Sequence, residues 1–148
     1  SVEEIYYKVY HPTEFWFGKI KYAPNEDLYD KYCSYATKDG CVIFLPHINY
    51  SDVKTRIRKV EGEVCLQRGL AELKGVGEKA AVEIVAERKA NGIFTSYDNF
   101  YDRCKSRVVN ARVLRIVKEQ GASEFNKKIY IKRVTKYNSS LIGRNFKW

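Results

Sequence analysis

Two glycines in the middle of the chain, Gly75 and Gly77, stand where one amphipathic segment ends and another begins. Glycine adopts backbone conformations that other residues avoid, so this Gly-Val-Gly run predicts a tight reversal between two helices. The first amides of a helix have no partner inside it and lie at its positive end. We therefore expect the amides of Val76, Gly77 and Glu78 to bind a phosphate oxygen, with a lysine on each side. The predicted phosphate site comprises Lys74, Gly75, Val76, Gly77 and Lys79.

A second group of polar and basic residues precedes the last strongly periodic helix. Asn110 is a typical N-cap for that helix, and Arg107 and Arg112 flank it. We expect these three residues to hold another phosphate. The cations that extend this positive surface are Arg103, Lys105 and Arg115.

The alternative to the first phosphate site is a purely structural hairpin between packed helices. A dinucleotide-binding fold is excluded, because no buried strand leads into the glycines and a third glycine is missing.

The charge distribution points to a polyanionic partner. The chain of 148 residues has 27 Lys and Arg against 18 Asp and Glu, a net charge of +9. Residues 1–102 carry 14 basic and 16 acidic side chains, whereas residues 103–148 carry 13 basic and only 2 acidic ones. Such an asymmetry is typical of nucleic-acid binding. A basic segment that only aids solubility, or one that attracts DNA without the hairpin, remains the alternative.

Cysteine and histidine usage excludes several other classes of site. The four cysteines are Cys33, Cys41, Cys65 and Cys104. None of them forms a C-x-x-C pair, and the only histidines are His11 and His47, so we predict no zinc site. We expect the thiols to be reduced. The sequence has no long apolar run, and its acidic N-terminus is unlike a signal peptide. These features indicate a cytoplasmic protein.

Hydrophobic periodicity predicts the elements that position these residues. Predicted helices cover residues 2–9, 12–21, 26–38, 68–73, 78–89, a short stretch capped by Ser96, and 111–120. An apolar strand over 41–45 and a hairpin with its turn at Glu61-Gly62 lie between the two helical parts. The alternation of Ile129, Ile131 and Val134 favours a strand, and Phe146 and Trp148 favour a docked C-terminus. The fold class is therefore α+β, mainly helical, with a small β element at about 41–67.

Several segments resemble one protein family in order and spacing. They are Tyr7–Phe15, Leu45–Ser51, Gly69–Gly77 with Arg88 and Phe94, Val108–Leu114 and Gly121-Ala122. Over about residues 5–125 the chain resembles the DnaE-type α subunit of bacterial DNA polymerase III, a C-family replicative polymerase, from its fingers into its tandem helix-hairpin-helix domain.

This resemblance implies three parts: fingers-like helices with a β element (1–67), a tandem helix-hairpin-helix domain (68–125) and a basic, aromatic tail (126–148). It implies binding to the phosphate backbone of duplex DNA without sequence readout, and a polymerase palm or core as partner, on the same or a separate chain. The family's catalytic aspartates lie upstream, so we expect no polymerase activity and no cofactor here, although the parent enzyme would use Mg²⁺.

Two other functions remain open from the sequence. Helix-hairpin-helix units also occur in glycosylases, for which Asp98 or Lys89 would be the nominal catalytic residue. Alternatively, the many tyrosines and the Phe15-Trp16-Phe17 run would form a protein-interaction surface that docks on a polymerase core.

Overall fold

The computed structural model describes residues 2–138 of the chain. Within this range the fold consists of seven α-helices, one 3-10 turn and a three-stranded sheet. The N-terminal helices are α1 (Val2–Tyr10), α2 (Pro12–Lys21) and α3 (Glu26–Lys38). The strands are β1 (Ile43–Phe44), β2 (Arg56–Val60) and β3 (Glu63–Gln67). The 3-10 turn is Leu70–Glu72, and the remaining helices are α4 (Glu78–Asn91), α5 (Tyr97–Cys104), α6 (Ala111–Glu119) and α7 (Lys127–Tyr137).

Local sequence signals set most helix boundaries. Pro12 occupies the first turn of α2, where its missing N–H costs nothing. The Ser96 hydroxyl accepts a hydrogen bond from the Asn99 amide at 3.0 Å and so caps α5. Gly40 follows α3 with a φ of +90°. The predicted mainly helical α+β fold, with a small β element between two helical parts, is confirmed.

The sheet has the strand order β1-β3-β2, with β1 parallel and β2 antiparallel to β3. Glu61 and Gly62 form the two-residue loop between β2 and β3, with φ values of +51° and +80°. Positive φ at both loop positions is the backbone geometry that matches the right-handed twist of a hairpin. The predicted hairpin is confirmed, whereas the apolar run 41–45 forms only the two-residue strand β1.

Helices cover both faces of this sheet. On one face Ile43 and Leu66 pack against Trp16 of α2 and Cys33 of α3. On the other face Phe44 and its neighbours pack against α7. Because successive strand residues point to opposite faces, the short apolar strand contributes to two cores at once.

The predicted strand after residue 123 is wrong, since residues 127–137 form the helix α7. Tyr130 and Val134, four residues apart, are buried against the sheet, while Ile129 is exposed. The spacing of Ile129 and Ile131 fits a strand, whereas that of Tyr130 and Val134, at i and i+4, fits one helix face. Packing against the sheet decided the outcome. Asn138 then forms hydrogen bonds with both the amide (2.9 Å) and the carbonyl (2.7 Å) of Ile43, and so completes the free edge of β1. The predicted docking of Phe146 and Trp148 lies outside the described residues.

The helices α4, α5 and α6 enclose a separate hydrophobic core with the 3-10 turn. Its fully buried side chains include Leu70, Ile84, Phe94, Phe100 and Leu114. The predicted helix 68–73 is wrong in its extent, because Arg68 still hydrogen-bonds β1 through Phe44 and only residues 70–72 form a turn.

The loop between β1 and β2 fastens this helical lobe to the sheet. Arg88 of α4 donates to the carbonyl oxygens of Ile48 (2.7 Å) and Ser51 (2.6 Å). Asn49 exchanges two hydrogen bonds with the backbone of Phe94, at 2.8 and 2.9 Å. The division at residues 67 and 125 remains a prediction.

Candidate nucleic-acid interface

The first hairpin reverses the chain at Gly75, which has a φ of +90°. A Cβ atom built on this residue would lie 2.5 Å from Cδ1 of Ile116 in α6. The backbone conformation therefore requires glycine here, and a larger residue would also displace the end of the Ile116 side chain. Gly75 has a structural role, since it lets the first hairpin pack directly on α6.

Gly77 differs from Gly75 in both respects. Its φ of −72° is accessible to every residue, and a Cβ atom there would meet nothing within 4 Å. The expectation that both glycines need conformations forbidden to other residues is therefore wrong for Gly77. Neither packing nor backbone geometry within the chain explains a glycine at this position. Because Gly77 has no side chain, the space next to the start of α4 is open.

The backbone amides at this turn fall into two groups. The Val76 amide donates to the Leu73 carbonyl at 3.0 Å, so the prediction that it is an unpaired donor is wrong. Within the described part of the chain, the amides of Gly77, Glu78 and Lys79 have no acceptor. They lie at the positive end of the 14-residue helix α4. These three amides, rather than that of Val76, suit an anion.

The side chains around the first hairpin have mixed charge. Lys74 and Lys79 are exposed, and the ammonium group of Lys74 lies 3.9 Å from the Glu26 carboxylate. Glu78 occupies the first turn of α4 and is also exposed. Such solvent-exposed pairs contribute little to stability, so Lys74 stays available to a stronger anion. The first unit thus offers well-placed amides but little excess positive charge.

The second unit connects α5 to α6 without a glycine. The Ser106 amide donates to the Val109 carbonyl, and the Val109 amide returns a bond to the Ser106 hydroxyl, each at 3.0 Å. Asn110 caps α6 as predicted, accepting from the Val113 amide at 3.1 Å. The first turn of α6 carries no acidic residue. The exposed arginines near this helix start are Arg107, Arg112 and Arg115.

Both helices carry a cation at the second helical position, Lys79 in α4 and Arg112 in α6. The helix dipole disfavours a positive charge there. Local helix stability therefore does not account for these two residues.

Arg103 and Lys105 were also predicted to contact DNA, and the structure separates them. The Arg103 guanidinium donates to Glu87 (3.0 Å) and to the Gly92 carbonyl (2.8 Å), and it stacks on the Phe94 ring at 4.4 Å. This group joins α4 to α5 and has its donors occupied, so we remove it from the predicted interface. Lys105 is exposed and lies 5.1 Å from the Tyr101 ring centroid.

A buried polar network supports the first hairpin, and it has no sequence motif that would have revealed it. The Glu72 carboxylate accepts hydrogen bonds from the Tyr29 hydroxyl (2.6 Å), the Gly69 amide (2.7 Å) and both the amide and hydroxyl of Thr55. Burial raises the pKa of Tyr29, which keeps its hydroxyl protonated as a donor. The network fixes the 3-10 turn before the hairpin to α3 and to the start of β2.

The cysteines and the nominal glycosylase residues show no catalytic arrangement. All four cysteines are buried as free thiols, and burial raises the pKa of Cys104 to about 12, so its reactive thiolate is scarce. Asp98 and Lys89 are exposed charges on α5 and α4. Among residues 2–138, no three His, Cys, Asp or Glu side chains group closely enough to hold a metal ion. In the same range no helix combines the length and apolar character that crossing a membrane requires.

Comparison with known proteins identifies the family. The family described as "Helix-hairpin-helix motif" matches residues 40–128, more than half of the chain. The chain therefore belongs to the helix-hairpin-helix family.

Named relatives confirm the predicted resemblance. The chain is 36% identical over 123 residues to the DNA polymerase III subunit alpha of Aquifex aeolicus, and 33% identical over 123 residues to that of Thermus aquaticus. These matches cover 83% and 82% of this chain, but only 10% of each relative. The subunit of Treponema pallidum is 29% identical over 122 residues. The chain thus spans about a tenth of the length of the curated relatives it matches.

Proposed function

We propose that this chain binds the phosphate backbone of duplex DNA, without reading base sequence, as the helix-hairpin-helix part of a replicative polymerase α subunit. The observation that carries the proposal is the open space at Gly77, in front of three backbone amides without acceptors. A phosphate oxygen placed there receives amide hydrogen bonds at the positive end of α4. Phosphates carry no sequence information, so such contacts position the protein without selecting a site.

The second unit supplies the positive charge that the first lacks. Arg107, Arg112 and Arg115 surround the start of α6, whose first turn has no acidic residue. The close contact between Gly75 and Ile116 holds the two helix starts on one rigid body, because both units share one hydrophobic core. The proposed interface comprises Lys74, Gly75, Gly77, Lys79, Lys105, Arg107, Asn110, Arg112 and Arg115.

The names of the relatives support DNA as the ligand, since the segment they share with this chain belongs to a DNA polymerase subunit. We propose further that a polymerase core, on the same or another chain, carries the chemistry. Polymerases use carboxylates that hold two metal ions about 4 Å apart. In this proposal the core supplies those carboxylates and this chain positions the duplex.

Salt-dependent affinity tests the proposal. Fluorescence anisotropy with two duplexes of unrelated sequence should give equal affinities. If about four to six phosphates are neutralised, log K should fall against log salt with a slope of roughly −4 to −5. Gly77→Val should weaken binding to both duplexes about tenfold, because its side chain fills the space of a phosphate held by charge-assisted hydrogen bonds. Binding that survives Gly77→Val unchanged would contradict the proposal.

The competing explanation, that basic residues near the C-terminus bind DNA alone, needs a test that preserves the fold. Removing residues after 125 is unsuitable, because Tyr130 and Asn138 are part of the sheet's packing. Replacing the exposed Lys128, Lys132 and Lys136 of α7 with glutamine removes charge without touching that packing. If this triple variant abolishes binding while Gly77→Val leaves it intact, α7 and not the hairpin carries the function.

A second function is favoured by one surface feature. Helix α1 exposes Val2, Ile5, Val9 and Tyr10, with between 65% and 85% of each residue accessible. The predicted docking run Phe15-Trp16-Phe17 is instead packed into the core, with Trp16 only 6% exposed. The apolar stripe of α1 suits docking on a polymerase core in its place. Replacing Ile5 and Val9 with glutamate should abolish capture of a purified polymerase core while leaving the affinity for duplex DNA unchanged. Loss of DNA affinity in this variant would contradict a separate docking role.

A further inference from the structure

A groove with a volume of about 750 Å³ adjoins the first hairpin on the side of the N-terminal helices. One wall is formed by the loop between α2 and α3, around Tyr22. The lining also includes Lys54 and the hairpin residues Lys74 and Gly75. The groove therefore shares Lys74 and Gly75 with the proposed duplex interface.

The exposed charges along the groove are mostly positive. Lys21, Lys54 and Lys74 are exposed at its rim, and Glu26 is the acidic residue among the exposed lining side chains. The second carboxylate of the lining, that of Glu72, is already engaged by Tyr29, Thr55 and Gly69. The exposed rim thus has three ammonium groups and one carboxylate, that of Glu26, which lies 3.9 Å from the Lys74 ammonium. This excess of positive charge complements a polyanion.

An exposed aromatic ring lies among these cations. Tyr22 is 77% accessible, and the Lys21 ammonium lies 5.6 Å from its ring centroid. Positive charge combined with an accessible aromatic ring is the arrangement with which proteins bind unpaired bases. In a duplex the base faces are stacked on one another, so the ring favours a single strand. The groove volume also lies within the range for small ligands, roughly 300–1000 Å³, and is too small for a duplex.

We propose that this groove holds a single DNA strand that leaves the duplex bound at the first hairpin. One base stacks on Tyr22, and its flanking phosphates contact Lys21, Lys54 and Lys74. The proposal rests on the proposed duplex binding and adds to it a site for the junction between duplex and single strand. Lys74 belongs to both sites and makes them continuous.

The experiment compares a blunt duplex with the same duplex carrying a short single-stranded overhang, at one salt concentration, using the full chain. An overhang of one polarity should bind about tenfold more tightly than the blunt duplex, since stacking of one base contributes that much. Tyr22→Ala should remove this preference and Tyr22→Phe should keep it. Tyr35→Ala is the matched control, because Tyr35 is an exposed tyrosine that does not line the groove.

The lysines and the base provide two further readouts. Lys54→Gln should weaken overhang binding several-fold while leaving the affinity for the blunt duplex unchanged. Lys59→Gln, an exposed lysine of β2 outside the groove, should change neither. A 2-aminopurine base in the overhang should be quenched on binding to the unaltered chain and should stay bright with Tyr22→Ala.

Failure of this inference is distinguishable from failure of duplex binding. If neither overhang polarity gains affinity, or if Tyr22→Ala retains the gain and the quenching, the groove proposal is wrong, while blunt-duplex binding that depends on Gly77 still stands. If Gly77→Val leaves blunt-duplex binding intact, the duplex proposal is wrong, and the continuity on which the groove proposal rests is lost with it.

Discussion

The two units, around the starts of α4 and α6, share one core but offer different chemistry at their helix starts. The first unit presents open space at Gly77 and free amides, with the acidic Glu78 in its first helical turn. The second has no glycine at its turn and no acid in the first turn of α6, and it exposes Arg107 and Arg112. Backbone geometry and positive charge are thus divided between the units, so a G-x-G motif locates only half of such a site.

The largest expected effect on stability distinguishes Gly75, which has a structural role, from Gly77, which is proposed to bind phosphate. Gly75→Ala should lower the free energy of unfolding by about 3 kcal/mol, because it combines an unfavourable φ with overlap against Ile116. Gly77→Ala should change stability by less than about 1 kcal/mol, because its φ and surroundings accept a methyl group. Urea unfolding measures both values. Equal destabilisation by the two substitutions would show that both glycines are structural.

The second prediction concerns His47, which joins the loop after β1 to the segment after α6. His47 donates from Nε2 to the Glu124 carbonyl (2.7 Å) and accepts the Asn49 amide at Nδ1 (3.0 Å), so it is buried in its neutral form. Burial, with a smaller contribution from Arg58, lowers the pKa of His47 to about 4. The unfolded chain therefore binds the proton first, and stability falls as the pH drops from the unfolded pKa of about 6.5 towards 4.

Over that range the free energy of unfolding should fall by about 2 to 3 kcal/mol from this residue. His47→Gln keeps a donor near Glu124 but cannot titrate. Urea unfolding at about pH 7 and pH 4.5 should show a smaller difference for the variant than for the unaltered chain. An identical pH dependence in both chains would show that other groups control the response.

How far the sequence predicts this molecule depends on the range of the interactions. Caps at Ser96 and Asn110 and the Glu61-Gly62 turn involve neighbours within a few residues, and their sequence signals identified them correctly. The helix α7 was missed because its identity depends on packing against a sheet more than 60 residues earlier in the chain. Local alternation of apolar residues contains no information about that contact.

The candidate site shows the same limit. The hairpin, its glycines and its lysines were recognised from their spacing, but the separate roles of Gly75 and Gly77 depend on Ile116, about 40 residues away. Arg103 resembles any other surface cation in the sequence, and only the fold shows that Glu87 and Phe94 engage it. The Glu72 network involves three segments of the chain and forms no linear motif.

The third prediction tests whether Arg103 stabilises the fold without contacting DNA. Arg103→Ala should lower the free energy of unfolding by about 2 kcal/mol, because it leaves Glu87 and the Gly92 carbonyl without a charge-assisted donor. The slope of log K against log salt should stay unchanged, because the guanidinium does not reach DNA. Arg107→Ala, which removes an exposed arginine, should leave the free energy of unfolding nearly unchanged and should reduce the magnitude of the salt slope. A reduced slope for Arg103→Ala would return this residue to the interface.

The smallest expected effect tests whether the two units act as equivalents. Lys79 and Arg112 each occupy the second position of their helix, where a cation opposes the helix dipole. Replacing either residue with glutamine should therefore raise the free energy of unfolding slightly, by about 0.3–1 kcal/mol. The same substitution should weaken binding to all DNA sequences alike and reduce the magnitude of the salt slope by about one. If both variants gain stability and both lose DNA affinity to the same extent, each helix start holds one phosphate. If only Arg112→Gln reduces the slope, the second unit supplies the charge contact by itself, and the first contributes through its amides alone.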